Sequence, residues 1–177
     1  MKKTCVLLVG LFLLAAPTAS HALLGVGLGT GIDGGLAMPS GSLADSVKSG
    51  MQFGVYGQLN LIVINLGINA DYISMSGKTN SDIKMKMIPL TASLMFSLPT
   101  PIVSPYAKIG GGIVLETLTV PNVADETNQD PVFLIGAGVD IDLMGTMIKI
   151  EGTYNFIYEK NISGATENGS YLKLSAG

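Results

Sequence analysis

The chain carries little of the side-chain chemistry on which catalysis and metal binding depend. It has no tryptophan and no arginine, a single cysteine, Cys5, and a single histidine, His21. Both lie in the first 22 residues, which have the form of a removable signal. Without them no disulfide, thiol nucleophile or imidazole remains, which excludes Ser-His and Cys-His catalysis and most metal sites. We therefore predict that the chain is not an enzyme and that it holds no cofactor and no metal.

The first 22 residues have the composition of an export signal. Lys2 and Lys3 give a charged start, an apolar run follows from Val6 to Ala16, and Ser20-His21-Ala22 places small residues where a signal peptidase reads them. The apolar run is shorter than the roughly 20 residues that a membrane-spanning helix needs. We predict a signal peptide over residues 1–22, cleaved after Ala22, and a single domain over residues 23–177.

Charge excludes a further class of partner. Cleavage removes Lys2 and Lys3, which leaves 8 basic residues against 13 acidic ones and a net charge of −5. Neither this acidic balance nor the lack of arginine suits a nucleic-acid partner, because phosphate backbones are bound by clustered basic residues.

The chain is apolar overall, yet no long apolar run follows the signal. Its mean hydropathy is +0.47, whereas helical membrane proteins concentrate their apolar residues in stretches of about 18 or more. A transmembrane β-strand needs only about 9–11 residues, half of which face inward, so hydrophobicity is spread along the chain. The 23 glycines and the many β-branched residues also favour strands and turns over helices. The composition predicts a membrane β-barrel.

Eight segments alternate apolar residues with small or polar ones. Longer polar connections alternate with shorter ones between these segments, as in barrels with external loops and short periplasmic turns. The pattern predicts an all-β fold, an eight-stranded antiparallel transmembrane β-barrel. The predicted strands are about Leu24 to Met38, Gly50 to Leu59, Val63 to Met75, Ile83 to Leu98, Tyr106 to Leu118, Val132 to Leu143, Thr146 to Tyr158 and Ser170 to Gly177.

The direction of the alternation decides against a soluble lipocalin-like periplasmic binding barrel, the alternative for this fold. Such a cup would be polar outside, whereas here the outward positions carry Ile, Leu, Val, Phe and Met and the inward ones carry Gly, Asn, Asp and Lys. Lys84 and Lys86 depart from the pattern. They fall on the lipid face unless they lie above the membrane or a bulge shifts the phase of the strand.

Four motifs resemble one group of proteins. They are Gly25-Val26-Gly27-Leu28-Gly29, Leu43-Ala44-Asp45 preceded by Pro39-Ser40-Gly41, the Leu98-Pro99-Thr100-Pro101 to Ser104-Pro105-Tyr106 turn, and Gly136-Ala137-Gly138-Val139. In these the chain resembles the small eight-stranded outer-membrane barrels, which include the OmpA transmembrane domain, OmpX-like proteins and opacity-type porins.

The resemblance implies residence in the outer membrane of a Gram-negative bacterium and a role in envelope integrity or surface interaction. It implies as partners the outer-membrane lipid and lipopolysaccharide, the outer-membrane assembly machinery, and a host or cell-surface ligand bound through the loops. It carries over no catalytic residue.

The chain departs from that family at its last segment. Members typically end the last strand on an aromatic residue, whereas this chain ends on Leu174-Ser175-Ala176-Gly177. The predicted strand from Ser170 to Gly177 is also shorter than the roughly 9–11 residues expected. We therefore expect the last strand to be truncated, with a naturally short strand as the alternative.

The alternation places nine charged residues inside the barrel. Assuming near-symmetric hairpins, Lys108 lies opposite Asp142, and Asp140 opposite Lys149. An eight-stranded barrel is only wide enough to be filled by side chains, so we predict a network that pairs buried charge. The alternative is a narrow channel for ions or small solutes beside the glycine-lined first strand. The predicted inward charges are Asp33, Asp71, Lys108, Glu116, Asp140, Asp142, Lys149, Glu151 and Lys173.

Two minor hypotheses concern the remaining carboxylates. Glu116, Glu151 and Asp140 could supply a carboxylate pair for acid–base chemistry, but inward carboxylates near lysines are more often structural. In the third predicted loop, Thr119 to Pro131, a cluster of Asp125, Glu126 and Asp130 could bind a divalent cation, although ordinary solvated charge is the more common reading.

Overall fold

The computed structural model describes residues 26–61, 63–78, 83–119, 126–143, 146–160 and 166–177. Eight antiparallel strands in these residues close into a barrel in chain order, each strand pairing with its neighbours in sequence and the last with the first. Among the described residues, no helix has the length and apolar character needed to cross a membrane. The predicted cleavage point, Ala22, lies outside the described residues.

One short helix accompanies the strands. It is α1, Ser42–Ser46, and it follows the first strand directly. The strands are β1 Val26–Gly41, β2 Gly50–Leu61, β3 Ile64–Ser76, β4 Lys84–Ser97, β5 Val103–Thr119, β6 Glu126–Leu143, β7 Thr146–Lys160 and β8 Thr166–Ala176. We call the end at which β1–β2, β3–β4, β5–β6 and β7–β8 connect the loop end, and the opposite end the turn end.

The last strand is longer than the sequence predicts. β8 begins at Thr166, four residues before the predicted start at Ser170, and has 11 residues. Residues Glu167 and Asn168 look like loop because they are polar, yet they pair with Glu159 and Tyr158 of β7. The expected strand of only eight residues is therefore wrong. On its other side β8 pairs with β1 from Gly34 to Gly41, which closes the barrel.

The third predicted loop is likewise shorter than expected. β6 begins at Glu126, not Val132, and residues Glu126 to Pro131 pair with Ile113 to Leu118 of β5. Polar residues and a proline suggest a loop, but a strand that projects beyond the apolar zone can be polar on both faces. The connection between β5 and β6 therefore ends before Glu126, and its midpoint lies earlier in the chain than the midpoint of the predicted loop from Thr119 to Pro131.

The outer wall of the barrel is apolar. Leu28, Ile32 and Ile68 expose 72%, 75% and 67% of their surface, and the outward rows of the other strands carry Phe, Val, Leu and Ile in the same way. Along β4 the exposed and buried positions alternate without interruption. The register with β3 has the same offset on both sides of Pro89, with Ala70 opposite Leu90 before it and Ile73 opposite Met87 after it. No bulge is needed, so Lys84 and Lys86 point outward at the loop end.

The lumen is polar toward the turn end and apolar toward the loop end. Leu43 of α1 and Val47, just after it, are buried and belong to an apolar cluster with inward residues of the strands. α1 packs against β1 and β8, so this first connection covers the loop end of the lumen. The strand members of this apolar cap are Ala37, Ile73, Met75, Met87, Val114, Val132, Ile157 and Tyr171.

Candidate functional site

The candidate site is the polar part of the lumen. Of the nine inward charges predicted from sequence, Asp142 is exposed near the turn end. Its backbone N–H donates to the carbonyl of Ile102 at 2.9 Å, and the side chain lies outside the buried group. The other eight are buried: Asp33, Asp71, Lys108, Glu116, Asp140, Lys149, Glu151 and Lys173.

A first group, the Asp33–Asp71 cluster, joins strands β1, β2, β3 and β8. Gln52 Nε2 donates to Asp33 Oδ1 and to Asp71 Oδ1, both at 2.8 Å. Lys173 Nζ donates to Asp71 Oδ2 at 3.0 Å and lies 3.6 Å from Asp33 Oδ2. One ammonium and one amide thus bind two carboxylates. Because all four side chains are buried, these contacts replace lost water around the two carboxylates and the ammonium, whereas Gln52 Oε1 has no hydrogen-bond partner among the described residues.

A glycine makes this convergence possible. Gly54 pairs with Asp33 on one side and with Asp71 on the other, so the three residues form one row across β1, β2 and β3. A methyl group at Gly54 would overlap both carboxylates. The two aspartates occupy the volume that any larger side chain there would fill.

A second group, the Glu151 cluster, lies on β5, β6 and β7. Glu151 Oε1 accepts from Lys108 Nζ at 2.6 Å and from the Thr153 hydroxyl at 2.8 Å, and Oε2 accepts from the Tyr106 hydroxyl at 2.8 Å. Gly138 separates Tyr106 from Glu151 in the same row, and a methyl group there would lie 2.5 Å from the Tyr106 oxygen. Both carboxylate oxygens are therefore engaged by donors of the protein.

Lys149 forms a third set of contacts in the lumen and approaches the Glu151 cluster at the ring of Tyr106. Its Nζ donates to Gln58 Oε1 at 2.5 Å and lies 4.0 Å from Asp140 Oδ1. The same ammonium sits 4.5 Å from the ring centre of Tyr56 and 5.4 Å from that of Tyr106, within the range of cation–π attraction. The pairing of Asp140 with Lys149 is the one expected from sequence.

The other expected pairing is wrong. Lys108 lies opposite Gly136, and Asp142 opposite Met147. β6 begins six residues earlier than predicted, and the residue opposite Lys108 is likewise six positions earlier, Gly136 in place of Asp142. Lys108 therefore reaches Glu151 across β6. Because side chains alternate between faces with a period of two, a shift of six residues leaves the inward face of each strand unchanged.

Glu116 and the acidic loop residues lie apart from these clusters. Glu116 is buried nearer the loop end, between Met87 of β4 and Asn128 of β6. Of the three residues in the predicted acidic cluster, Asp125 lies outside the described residues, and Asp130 is part of β6. Within the described ranges no group of three or more His, Cys, Asp or Glu side chains is arranged to hold a metal ion.

Neutral side chains complete the packing of the lumen, and their role was not predicted from the sequence. The alternation places Gln52, Tyr56 and Gln58 inside, but it does not indicate that they bridge the charges. Tyr56 also lies over Gly31, where a methyl group would be 2.5 Å from its ring. The glycine-lined wall of the first strand is therefore covered by a tyrosine of the second strand.

Comparisons with known proteins agree with this architecture. No model of a protein family matches the chain, and neither does any curated protein. Among solved structures, the chain is similar to Neisserial surface protein A, with a TM-score of 0.68 and 17% identity over 86% of this chain and 94% of that one.

A second similar structure is Ail, the attachment invasion locus protein of Yersinia pestis, in complex with the heparin analogue sucrose octasulfate. Its TM-score is 0.49, with 15% identity over 83% of this chain and 96% of that one. At 17% identity, the likeness to Neisserial surface protein A concerns the fold. The chain has the fold of the small eight-stranded outer-membrane β-barrels.

Proposed function

We propose that this protein is a closed, non-catalytic barrel of the Gram-negative outer membrane that acts through its outer surface and its loops, in envelope integrity or surface interaction. The lumen serves as an internal scaffold. In this proposal residues 1–22 direct export and are removed after Ala22, and the assembly machinery of the outer membrane inserts the rest.

The outer wall supports the membrane part of this proposal. The outward row of β4 is apolar from Ile88 to Phe96, and Leu98, one residue past the strand, continues it. At about 3.4 Å per residue it covers about 34 Å along the strand, and about 26 Å along the barrel axis for a tilt near 40°. The apolar band of an outer-membrane barrel is about 25 Å tall.

The filled lumen is the observation that carries the scaffold role. Toward the turn end, the Asp33–Asp71 cluster, the Glu151 cluster and Lys149 tie the strands together through side-chain hydrogen bonds. Toward the loop end, the apolar cap closes over them. A fixed, mutually bonded interior suits a scaffold better than the narrow channel, since conduction requires ions to enter a water-filled path and leave it.

The experiment begins with the mature chain, residues 23–177, folded in detergent and reconstituted into planar bilayers. A change in gel mobility between boiled and unboiled samples reports the folded barrel. We expect folded protein to insert without single-channel conductance. Discrete conductance steps from heat-modifiable protein would support the channel in place of the scaffold.

Topology in cells tests the surface part. An epitope inserted in the β7–β8 connection should bind antibody on intact bacteria, whereas the same epitope in the β6–β7 connection should do so only after permeabilisation. The reverse pattern would mean that the loops face the periplasm and would overturn a surface role.

A further inference from the structure

Four lysines gather at the loop end around β3 and β4, although the mature chain is acidic. We name Lys48, Lys78, Lys84 and Lys86 the basic patch. All four are exposed. Three of the other lysines, Lys108, Lys149 and Lys173, are buried in the lumen and bonded to protein acceptors.

Backbone contacts bring the four positions together. The N–H of Lys48 donates to the carbonyl of Ser76 at 2.8 Å, and Ser76 pairs with Lys84 across β3 and β4. The N–H of Lys78 donates to the carbonyl of Ser46 at 3.0 Å. A bridge between Val47 and Gly77 lies between these contacts. The segment after α1 and the end of β3 thus form one surface beside β4.

The patch lies directly above the apolar band. The outward row of β4 reads Lys84, Lys86 and then Ile88, where the apolar stretch begins. The outward residues of both neighbouring strands change from apolar to hydroxyl-bearing in the same cross-strand rows: Ser74 follows Tyr72 on β3, and Thr117 follows Leu115 on β5. With the apolar rows in hydrocarbon, as the proposed function has them, this transition on β3, β4 and β5 puts Lys86 at the level of the lipid headgroups.

The local chemistry suits a phosphate. Lys86 is flanked by Ser74 and Thr117, and Lys84 by Ser76 and Thr119, in directly opposed cross-strand pairs. Side chains in such pairs are about 5 Å apart, so ammonium and hydroxyl donors can converge on one anion. The Thr117 hydroxyl also forms a hydrogen bond of 3.2 Å with the Thr127 hydroxyl.

The described carboxylates leave this surface basic. Asp45 on α1 is the described carboxylate nearest to the patch along the chain, and Asp82 lies outside the described residues. Within the described part of the chain, none of the four lysines forms a salt bridge.

We propose that the basic patch binds the phosphate groups of an outer-leaflet glycolipid, the phosphorylated glucosamine headgroup of the lipid A type. The site rests on the proposed function, which places the barrel in an outer membrane with its loop end outward. The apolar row from Ile88 downward contacts the acyl chains, while Lys84 and Lys86 with their hydroxyl neighbours bind the headgroup. Lys48 and Lys78 extend the positive surface above it.

The test measures binding of diphosphoryl lipid A to the folded mature barrel in detergent by native mass spectrometry. Each lysine near an anionic lipid surface contributes about a fivefold change in affinity, so Lys84→Gln with Lys86→Gln should weaken binding about 25-fold. The matched control, Lys84→Arg with Lys86→Arg, keeps both charges and should bind nearly as tightly as the original. Gel mobility of unboiled samples confirms that each variant is folded.

Two further probes identify the source of the phosphate. Fully dephosphorylated lipid A should bind as weakly as diphosphoryl lipid A binds to the glutamine variant. Inorganic phosphate at equal concentration should not displace the lipid. Equal binding of the dephosphorylated lipid would mean apolar docking alone, and displacement by inorganic phosphate would mean a free-anion site; either result overturns the proposal.

The remaining outcomes separate this inference from the function on which it rests. If the affinity for lipid A is unchanged in a folded glutamine variant, the basic patch is not the lipid site. Binding of an anionic polysaccharide to the patch in place of lipid A would overturn the proposal as well. Protein that shows no heat-dependent mobility and does not insert into bilayers would refute the proposed function itself.

Discussion

Asp33 and Asp71 meet above a glycine and share one amide donor. They lie on strands β1 and β3, separated by Gly54 of β2, and the Oδ1 atom of each accepts a hydrogen bond of 2.8 Å from Gln52 Nε2. Two carboxylates brought this close repel each other unless cations and donors compensate. Here Lys173 and Gln52 provide that compensation, which makes the cluster sensitive to changes in volume and in charge.

Volume is tested by Gly54→Ala. The added methyl group would overlap both carboxylates, and overpacking of a close-packed interior costs about 1–3 kcal/mol of unfolding free energy. We expect the unfolding free energy of the detergent-folded barrel in urea to fall by that amount, with the heat-dependent gel shift as the measure of the folded fraction.

Gly57→Ala is the matched control for this prediction. Gly57 lies on the outer face of the same strand, where the nearest atom to an added methyl group is Ile68 Cγ1 at 3.4 Å. It should change stability by much less. Equal losses for both variants would mean that Gly54 acts through strand propensity and not through the two carboxylates.

Charge is tested by Lys173→Met. The substitution retains much of the side-chain volume but removes the ammonium group, 3.0 Å from Asp71 and 3.6 Å from Asp33. Breaking a buried ion pair by removing one partner costs about 3–5 kcal/mol, because the remaining charge has neither water nor a counter-ion. We expect a loss of that order in the same urea assay.

A double variant distinguishes charge from packing. Combining Lys173→Met with Asp71→Asn removes one of the two carboxylates that have lost the Lys173 ammonium, and it should recover part of the lost stability. Additive losses would show that Lys173 stabilises the barrel by packing alone, contrary to the ion-pair argument.

Alternation along the chain is enough to predict that there are eight strands and which face most residues occupy, although the starts of β6 and β8 and the exposure of Asp142 differ from the prediction. It does not predict the register of a hairpin, which depends on where each loop begins. The short connection between Leu143 and Thr146 leaves little freedom, so the pairing of Asp140 with Lys149 follows from the sequence. The β5–β6 connection is different, because Glu126 to Pro131 are polar and yet form a strand.

The apolar cap shows a second limit of sequence reasoning. Leu43 and Val47 lie in a polar connection, with no run long enough to indicate a helix or a buried segment. Their burial depends on the inward Ile73, Met75 and Met87, which belong to other strands. Only the closed barrel brings these residues together. In the phase of the alternation these three strand residues fall on the inward face, which is a sequence signal that the lumen is not polar throughout.

The apolar cap provides a third prediction, made with the double variant Leu43→Ala and Val47→Ala. Truncating buried aliphatic side chains costs about 2 kcal/mol or more each, and here the loss falls on the closure of the first connection. The two losses together are about 4 kcal/mol, so we expect protease cleavage in residues 42–49 to rise about 1,000-fold, in proportion to the opened population.

Conductance of the same variant should stay at the baseline, because Tyr56, Lys149 and the Glu151 cluster still fill the lumen below. A control with Leu98→Ala, on the exposed segment at the turn end, should leave cleavage unchanged. Appearance of ion conductance in the double variant would instead make the cap the main barrier of a latent channel.

The closure of the barrel by its first and last strands gives the fourth prediction. Leu36 of β1 lies opposite Leu174 of β8, and both side chains point outward. Directly opposed residues of antiparallel strands have Cα atoms about 4.5–5.5 Å apart, within the range of a disulfide. The single cysteine of the chain, Cys5, lies within the proposed signal. In residues 23–177, Leu36→Cys with Leu174→Cys should therefore form one disulfide under mild oxidation, detected as altered mobility of the boiled, non-reduced protein.

The control, Leu36→Cys with Leu172→Cys, shifts the pair by two residues and separates the Cα atoms by about 7–8 Å, which a disulfide does not bridge without backbone movement. Efficient cross-linking of the shifted pair in place of the first would mean that β8 closes the barrel in another register, and cross-linking of neither would mean that β1 and β8 are not neighbours.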